Sequence, residues 1–185
     1  SLSTRNLAQA SRDIEASYRA QPSAEALFYL GALAPADGRP LDAQDFMRRY
    51  LLDPRLSATS DNPESQEAQR VLSLNPLPSG QLGMQGADGT VVSVDGRLRG
   101  VLPLSRPLLL SPGRHEITLE QGNKKQQESI EIAASRYYEL RHSMASGAVV
   151  IAELPSVLLL DSASGDAEAG TLTFERFSAE LRSEN

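Results

Sequence analysis

The residues in this chain whose types suit catalysis or metal binding are few, and their spacing does not favour either. There is no Cys and no Trp, and the only histidines are His115 and His142. Without a thiol, Cys nucleophiles, disulfides and Cys-based zinc sites are excluded, while zero Cys suits every redox compartment. Neither His has a second His three or four residues away, the spacing that aims two imidazoles at one zinc ion from a helix. His115 alternates with Ile117 and Leu119 beside Pro112-Gly113. That phase puts its ring on the inner side of a strand, where it can bond a backbone carbonyl across a hairpin. His142 falls in phase with Tyr138 and Leu140. No serine sits in a Gly-x-Ser-x-Gly elbow, since Ala145-Ser146-Gly147 and Ala163-Ser164-Gly165 lack the first glycine. An enzyme built from these residues would need a polar pocket joining His115 to Asp or Ser side chains, and no such pocket is expected.

Other chemistries fail on spacing as well. Gly80, Gly83 and Gly86 are glycine-rich enough to wrap a phosphate, but no helix and no Lys-Ser or Lys-Thr closes the motif. Asp37, Asp42, Asp45 and Asp53 do not alternate around a central glycine with a terminal Glu, as a calcium loop requires. They are expected to cap helix starts and line a solvated face. Glu116 with Glu120 and Glu128 with Glu131 read as outward strand residues rather than a glycosidase pair. In Tyr137-Tyr138 one ring points to each side of a strand, leaving one available to hold a sugar or a peptide segment. No cofactor and no metal is expected. The charge, 18 Lys and Arg against 24 Asp and Glu for a net −6, supplies no basic field for a phosphate backbone, so nucleic acid is not expected as a partner. The longest apolar runs, such as Val157 to Leu160, are too short to cross a membrane, and no membrane insertion of this region is expected. The chain opens on Ser1 with no basic-plus-apolar leader, which reads as a processed form or a piece of something longer.

The elements that must position these residues change character near residue 75. Before it, apolar residues recur every three or four positions. Leu7, Ala10, Ile14 and Tyr18 mark a first helix; Ser23 is the N-cap of a second carrying Leu27, Leu30, Leu33 and Ala34. Pro40 or Leu41 opens a third with Ala43, Phe46, Met47 and Tyr50 on one side, which Asp53-Pro54 stops. Asn62-Pro63-Glu64 opens a fourth, with Ala68, Val71 and Leu72 buried. Gly31 lies inside a helix at a cost of about 1 kcal/mol, which a closely approaching neighbour helix explains, small Ala43 being its expected counterpart. Pro76 to Gly80 is a helix-refusing linker. After it, Asp88-Gly89, Asp95-Gly96, Pro112-Gly113 and Gly122-Asn123 punctuate segments of period two, which predict antiparallel strands with one polar face. Ala148 to Ile151 and Val157 to Leu160 are apolar runs of the kind buried on both faces. A loop and a helix over Thr173 to Ser183 follow, in a stretch of two arginines against seven acids.

Two resemblances sharpen this reading. Leu27, Leu30 and Gly31, then Ala43, Phe46 or Met47, Tyr50 and Pro54 resemble one tetratricopeptide repeat, a helical hairpin of scaffold proteins. Val92 to Gly96, Gly100-Val101-Leu102-Pro103, then Pro112-Gly113-Arg114-His115 and Gly122 resemble the PEGA domain, a small bacterial β-sandwich, over about residues 80–142. The match departs after Gly122, where Asn123-Lys124 replaces an expected aromatic. This resemblance implies an extracytoplasmic or signalling multidomain protein, a frequent link to tetratricopeptide helices, and no enzymatic activity.

The expected architecture is α+β and multidomain: an antiparallel helical module at 1–75, an antiparallel β-sandwich at 80–146, and an acidic strand-loop-helix segment at 147–185 that could begin a truncated α/β domain. The expected function is a non-catalytic adaptor or scaffold region holding a protein or peptide partner, or a cell-envelope polymer, outside the cytoplasm. Glu25, Phe28 and Tyr29 are the expected partner-binding residues, because they face the groove where such hairpins receive peptides. The alternative is a glycan- or peptidoglycan-binding accessory region of a larger envelope or signalling enzyme.

Overall fold

The helix-starting residues act as their chemistry dictates. The Ser23 hydroxyl accepts the Ala26 N–H at 3.1 Å and Asn62 Oδ1 accepts the Ser65 N–H at 2.7 Å, each satisfying an orphan donor of a first turn. Pro40 and Pro63 occupy the first position of their helices. The helices are α1 (Leu2–Ala20), α2 (Ala24–Leu33), α3 (Pro40–Leu51) and α4 (Pro63–Ser73), with a 3-10 turn at Ala34–Asp37 closed by Gly38 at φ 72°. The computed structural model describes residues 2–53, 56, 62–74, 76–143 and 149–154. Replacing Asn62 by Ala is expected to cost about 1 kcal/mol, read as a lower urea midpoint with unchanged slope.

The helices share one core of Tyr18, Leu27, Leu30, Ala43, Phe46, Met47, Tyr50, Ala68 and Val71. A methyl group at Gly31 would lie 3.1–3.2 Å from the Met47 side chain, so the close neighbour is the flexible Met47 one turn beyond Ala43. The stripe expected along α1 is buried at Tyr18, while Leu7 stays 40% exposed.

The strands are β1 (Gly80–Gln85), β2 (Val91–Val94), β3 (Arg97–Val101), β4 (Leu108–Leu110), β5 (Gly113–Gln121), β6 (Lys124–Ile132), β7 (Tyr137–His142) and β8 (Val149–Leu154). They form two four-stranded sheets, ordered β4-β1-β7-β8 and β3-β2-β5-β6. Leu82, Leu108, Tyr138 and Leu140 of the first sheet and Val92, Ile117, Leu119 and Ile132 of the second meet in a single apolar cluster. The chain is therefore α+β. Val94 pairs with Arg97, which leaves Asp95-Gly96 as a two-residue loop with φ 51° and 74°, the positive values this hairpin turn demands.

Three strand expectations need correcting. β1 and β7 pair in parallel, so the strands are not all antiparallel. Period two fixes which side chains face inward but not strand direction, and the five strands between them supply the long crossover a parallel pair requires. Nor does the second sheet keep one polar face: Leu98 and Val101 of β3 join the helical core, with Val91 packed against it. Helices cover that side of β2 and β3, and both faces there are dry. β8, placed by sequence in the C-terminal segment, pairs with β7 at the edge of the first sheet, where Ile151 is 39% exposed rather than buried on both sides. Pro54, the run Val157 to Leu160 and the helix expected over Thr173 to Ser183 lie outside the described residues.

Candidate functional site

On α2, Glu25 and Tyr29 lie one turn apart on the exposed side, and Tyr29 is 44% exposed. Phe28 is half-buried. Its ring meets Tyr50 at 5.4 Å and stands edge-on to Tyr29 at 5.5 Å. The three expected residues thus form a short run in which Phe28 anchors inward and steadies Tyr29, with exposed Ala32 extending the stripe. Such a rigid aromatic loses little conformational freedom on binding.

A larger polar assembly lies where α3 meets the sheets, and it overturns the expectation that Asp42 and Asp45 line a solvated face. Asp45 is fully buried. Its carboxylate pairs with Arg49 at 3.1 Å and Arg99 at 3.0 Å, approaches Arg48 at 3.5 Å, and accepts the Leu109 N–H at 2.9 Å. Arg99, 4% exposed, also bonds Asp42 at 2.6 Å and donates to the Leu109 carbonyl at 2.9 Å. Arg49 donates to the Arg99 carbonyl at 2.5 Å, and Arg48 to the Pro107 carbonyl. The Phe46 ring lies against both guanidiniums, 5.0 Å from that of Arg49 and 5.7 Å from that of Arg99.

β3 and β4 are edge strands of the two sheets. Their outward peptide groups at Arg99 and Leu109 are bonded by side chains instead of by another strand, which protects both edges from pairing with other chains. Burial pushes the Asp45 carboxyl up, yet Arg49, Arg99, Arg48 and the Leu109 N–H together hold it below the ordinary aspartate value. Each guanidinium and carboxylate here has an ion-pair partner, although the Nε atoms of Arg48, Arg49 and Arg99 are buried without an acceptor, and the assembly fixes α3 to the sheets. The signal in the sequence was the 3–4 spacing of Asp42, Asp45 and Arg49 beside Phe46, a charged stripe along an otherwise apolar face.

The structure also joins His115 to Asp and Ser side chains, against expectation. Nδ1 lies 2.7 Å from Asp95 Oδ2, and Nε2 lies 3.3 Å from the Ser111 hydroxyl. Nε2 is nearer, at 2.8 Å, to the Ser111 backbone carbonyl; this is a carbonyl bond as foreseen, but it lies in the link from β4 to β5, two strands of different sheets, and not across a hairpin. A nitrogen that donates to a carbonyl has no lone pair left to take a serine proton. Asp95 Oδ1 accepts the Glu116 N–H at 2.9 Å, so the group ties the Asp95-Gly96 turn to β5. Burial pushes the Asp95 carboxyl up, and the Glu116 N–H and His115 more than offset it. His142 is buried with Nε2 2.8 Å from Gln126 Oε1; burial pushes its pKa down, with Glu128 opposing.

The two tyrosines of β7 point opposite ways. Tyr138 is in the core and its hydroxyl accepts the Ala133 N–H at 3.1 Å. Tyr137 faces out and donates to Glu139 Oε2 at 2.8 Å. Both groups lie across Gly83, where a Cβ would fall 2.1 Å from the Tyr137 hydroxyl and 2.5 Å from Glu139 Oε2. Burial first, then the Glu139 carboxylate, pushes the Tyr137 phenol far above its ordinary value. This pair lines a cleft of about 270 Å³ with Met84, Arg106 and Pro107. Among the described residues there is no group of three or more His, Cys, Asp or Glu able to hold a metal ion, and no helix is long and apolar enough to cross a membrane.

Comparison with known proteins finds no matching family model, no matching curated protein and no matching solved structure.

Proposed function

We propose that the chain is a non-catalytic adaptor region of a bacterial multidomain protein that holds a protein or peptide partner through Glu25, Phe28 and Tyr29, on the outer side of the cytoplasmic membrane. In this reading α2 and α3 are a tetratricopeptide-like hairpin and β1 to β7 a PEGA-like sandwich. The observation that carries it is the α2 face, with Tyr29 held out by Phe28 and flanked by the Glu25 carboxylate. The capped hairpin, the apolar layer between two sheets and the Asp95-Gly96 and Pro112-Gly113-Arg114-His115 turn chemistry agree with it. An adaptor also benefits from a rigid relation between its parts, which the Asp45-Arg49-Arg99 assembly favours.

The test is affinity capture with the purified chain beside Glu25→Ala/Tyr29→Ala and Phe28→Leu variants of unchanged melting temperature. Proteins held by the native chain are expected to be lost from the double variant and weakened at least about tenfold by Phe28→Leu, the scale of one interface anchor. Capture of the same set by both variants as by the native chain would sink the reading.

A further inference from the structure

β1 outruns its neighbour. β4 pairs with it only from Gly80 to Leu82, whereas β7 accompanies it to Gln85. The backbone of Leu109, opposite Gln81, bonds Asp45 and Arg99 on the side away from β1. The Gln81 N–H bonds the Arg136 carbonyl on the β7 side. Strand alternation therefore turns the N–H and C=O of Met84 toward the β4 side. Continued register would set Arg106 opposite Met84, but the pairing ends at Leu108 and leaves the Met84 peptide group without a β4 partner. The opening between β1 and the diverging chain is the 270 Å³ cleft. It is small for a compact organic ligand and shaped for a short extended one.

The cleft lining carries one cation, Arg106, and one carboxylate, Glu139, and a second cation, Arg141, stands next to it on β7. Glu139 is held by the Tyr137 hydroxyl. Arg106 on one wall and Arg141, which pairs with Gln85 at the end of β1, are exposed and make no ion pair among the described residues. Arg48, the next cation inward, is committed to Asp45 and the Pro107 carbonyl.

We propose that an acidic peptide in extended form adds to β1 in this cleft as a strand beyond the end of β4. It accepts from the Met84 N–H, donates to the Met84 C=O, and sets carboxylates against Arg106 and Arg141. Main-chain bonds supply the pairing and the two guanidiniums the selection for acidic side chains. The site is distinct from the α2 face and does not depend on it.

The test uses the full chain and a fluorescent hexapeptide of alternating valine and glutamate, with the valine–lysine hexapeptide as comparison. The acidic peptide is expected to bind, to slow hydrogen exchange at the Met84 amide, and to weaken by about two- to thirtyfold in Arg106→Glu/Arg141→Glu, as loss of two exposed ion pairs implies. Glu25→Ala/Tyr29→Ala is expected to bind it like the native chain. Equal binding of the lysine peptide, an unchanged affinity in the charge-reversed variant, or an unprotected Met84 amide would each overturn the proposal. So would soluble peptidoglycan fragments binding there in place of the peptide.

Discussion

Replacing Asp45 by Ala is expected to remove about 3–5 kcal/mol of stability, the scale for taking one partner from a buried charge assembly. Arg49 and Arg99, 1% and 4% exposed, would be left without their shared carboxylate in a space too dry to hydrate them. The Leu109 N–H would lose its acceptor as well, reopening the edge of β4. Urea unfolding followed by circular dichroism reads the loss, and a drop under about 1 kcal/mol would show that the assembly is far less dry than its burial indicates. The same carboxylate sets an acid limb. Its pKa is lowered in the folded chain from the ordinary 3.8, so its contribution is complete above that pH and is lost as pH falls through the lower folded value. The Asp45→Ala chain is expected to lack this part of the acid dependence. Replacing Asp45, Arg49 and Arg99 together with apolar residues of similar volume is expected to cost much less than the single change, since no charge is then stranded.

That assembly also marks where the sequence was legible. Local rules were readable because their causes are local: Ser23 and Asn62 cap the helices they precede, Asp95-Gly96 makes the turn its dihedrals require, and Val92, Ile117 and Leu119 face inward as alternation demands. Asp45 and Arg99 were not readable, because a charge in a helix or strand is solvated unless a partner distant in the chain covers it, and here that partner lies 54 residues away. The parallel pairing of β1 with β7 was hidden for a related reason, since side-chain period carries no strand direction. Gly31 signalled a close helix but could not name Met47, whose flexible thioether fills the space. At the candidate sites the residue types were legible and the partners were not. Tyr137-Tyr138 announced one outward ring, but nothing in the spacing said that it would lie over Gly83 and bond Glu139.

Gly80→Ala is expected to destabilise the chain by about 1–3 kcal/mol, the cost of overfilling a packed site. A Cβ there would fall 2.6 Å from the Ala133 carbonyl oxygen and from Ile132 Cγ2, and 3.3 Å from the Arg136 carbonyl, so backbone on two sides must give way. Stiffening of the unfolded chain by alanine would offset about 0.4–1 kcal/mol, and the fall in urea midpoint reports the difference. Gly83→Ala meets side chains instead and calls for a different readout. Its Cβ collides with the Tyr137 hydroxyl and Glu139 Oε2, and relief requires these groups to lift and separate. Both causes that raise the Tyr137 phenol, burial and then the Glu139 carboxylate, weaken together. Difference-absorbance titration of the five tyrosines is expected to show one phenol moving down toward the ordinary 10.0 in Gly83→Ala, and none in Gly80→Ala. The native phenol, raised when folded, contributes stability that is complete below 10.0 and lost as pH rises through its folded value, so the Gly83→Ala chain should lose less stability on the alkaline side. Gly80 and Gly83, spaced like a phosphate-binding loop, thus serve two unrelated close approaches, of backbone to backbone at one and of a tyrosine–glutamate pair to the strand at the other. An unchanged titration in Gly83→Ala would mean that the pair does not rest on the glycine, and that the cleft floor has another cause.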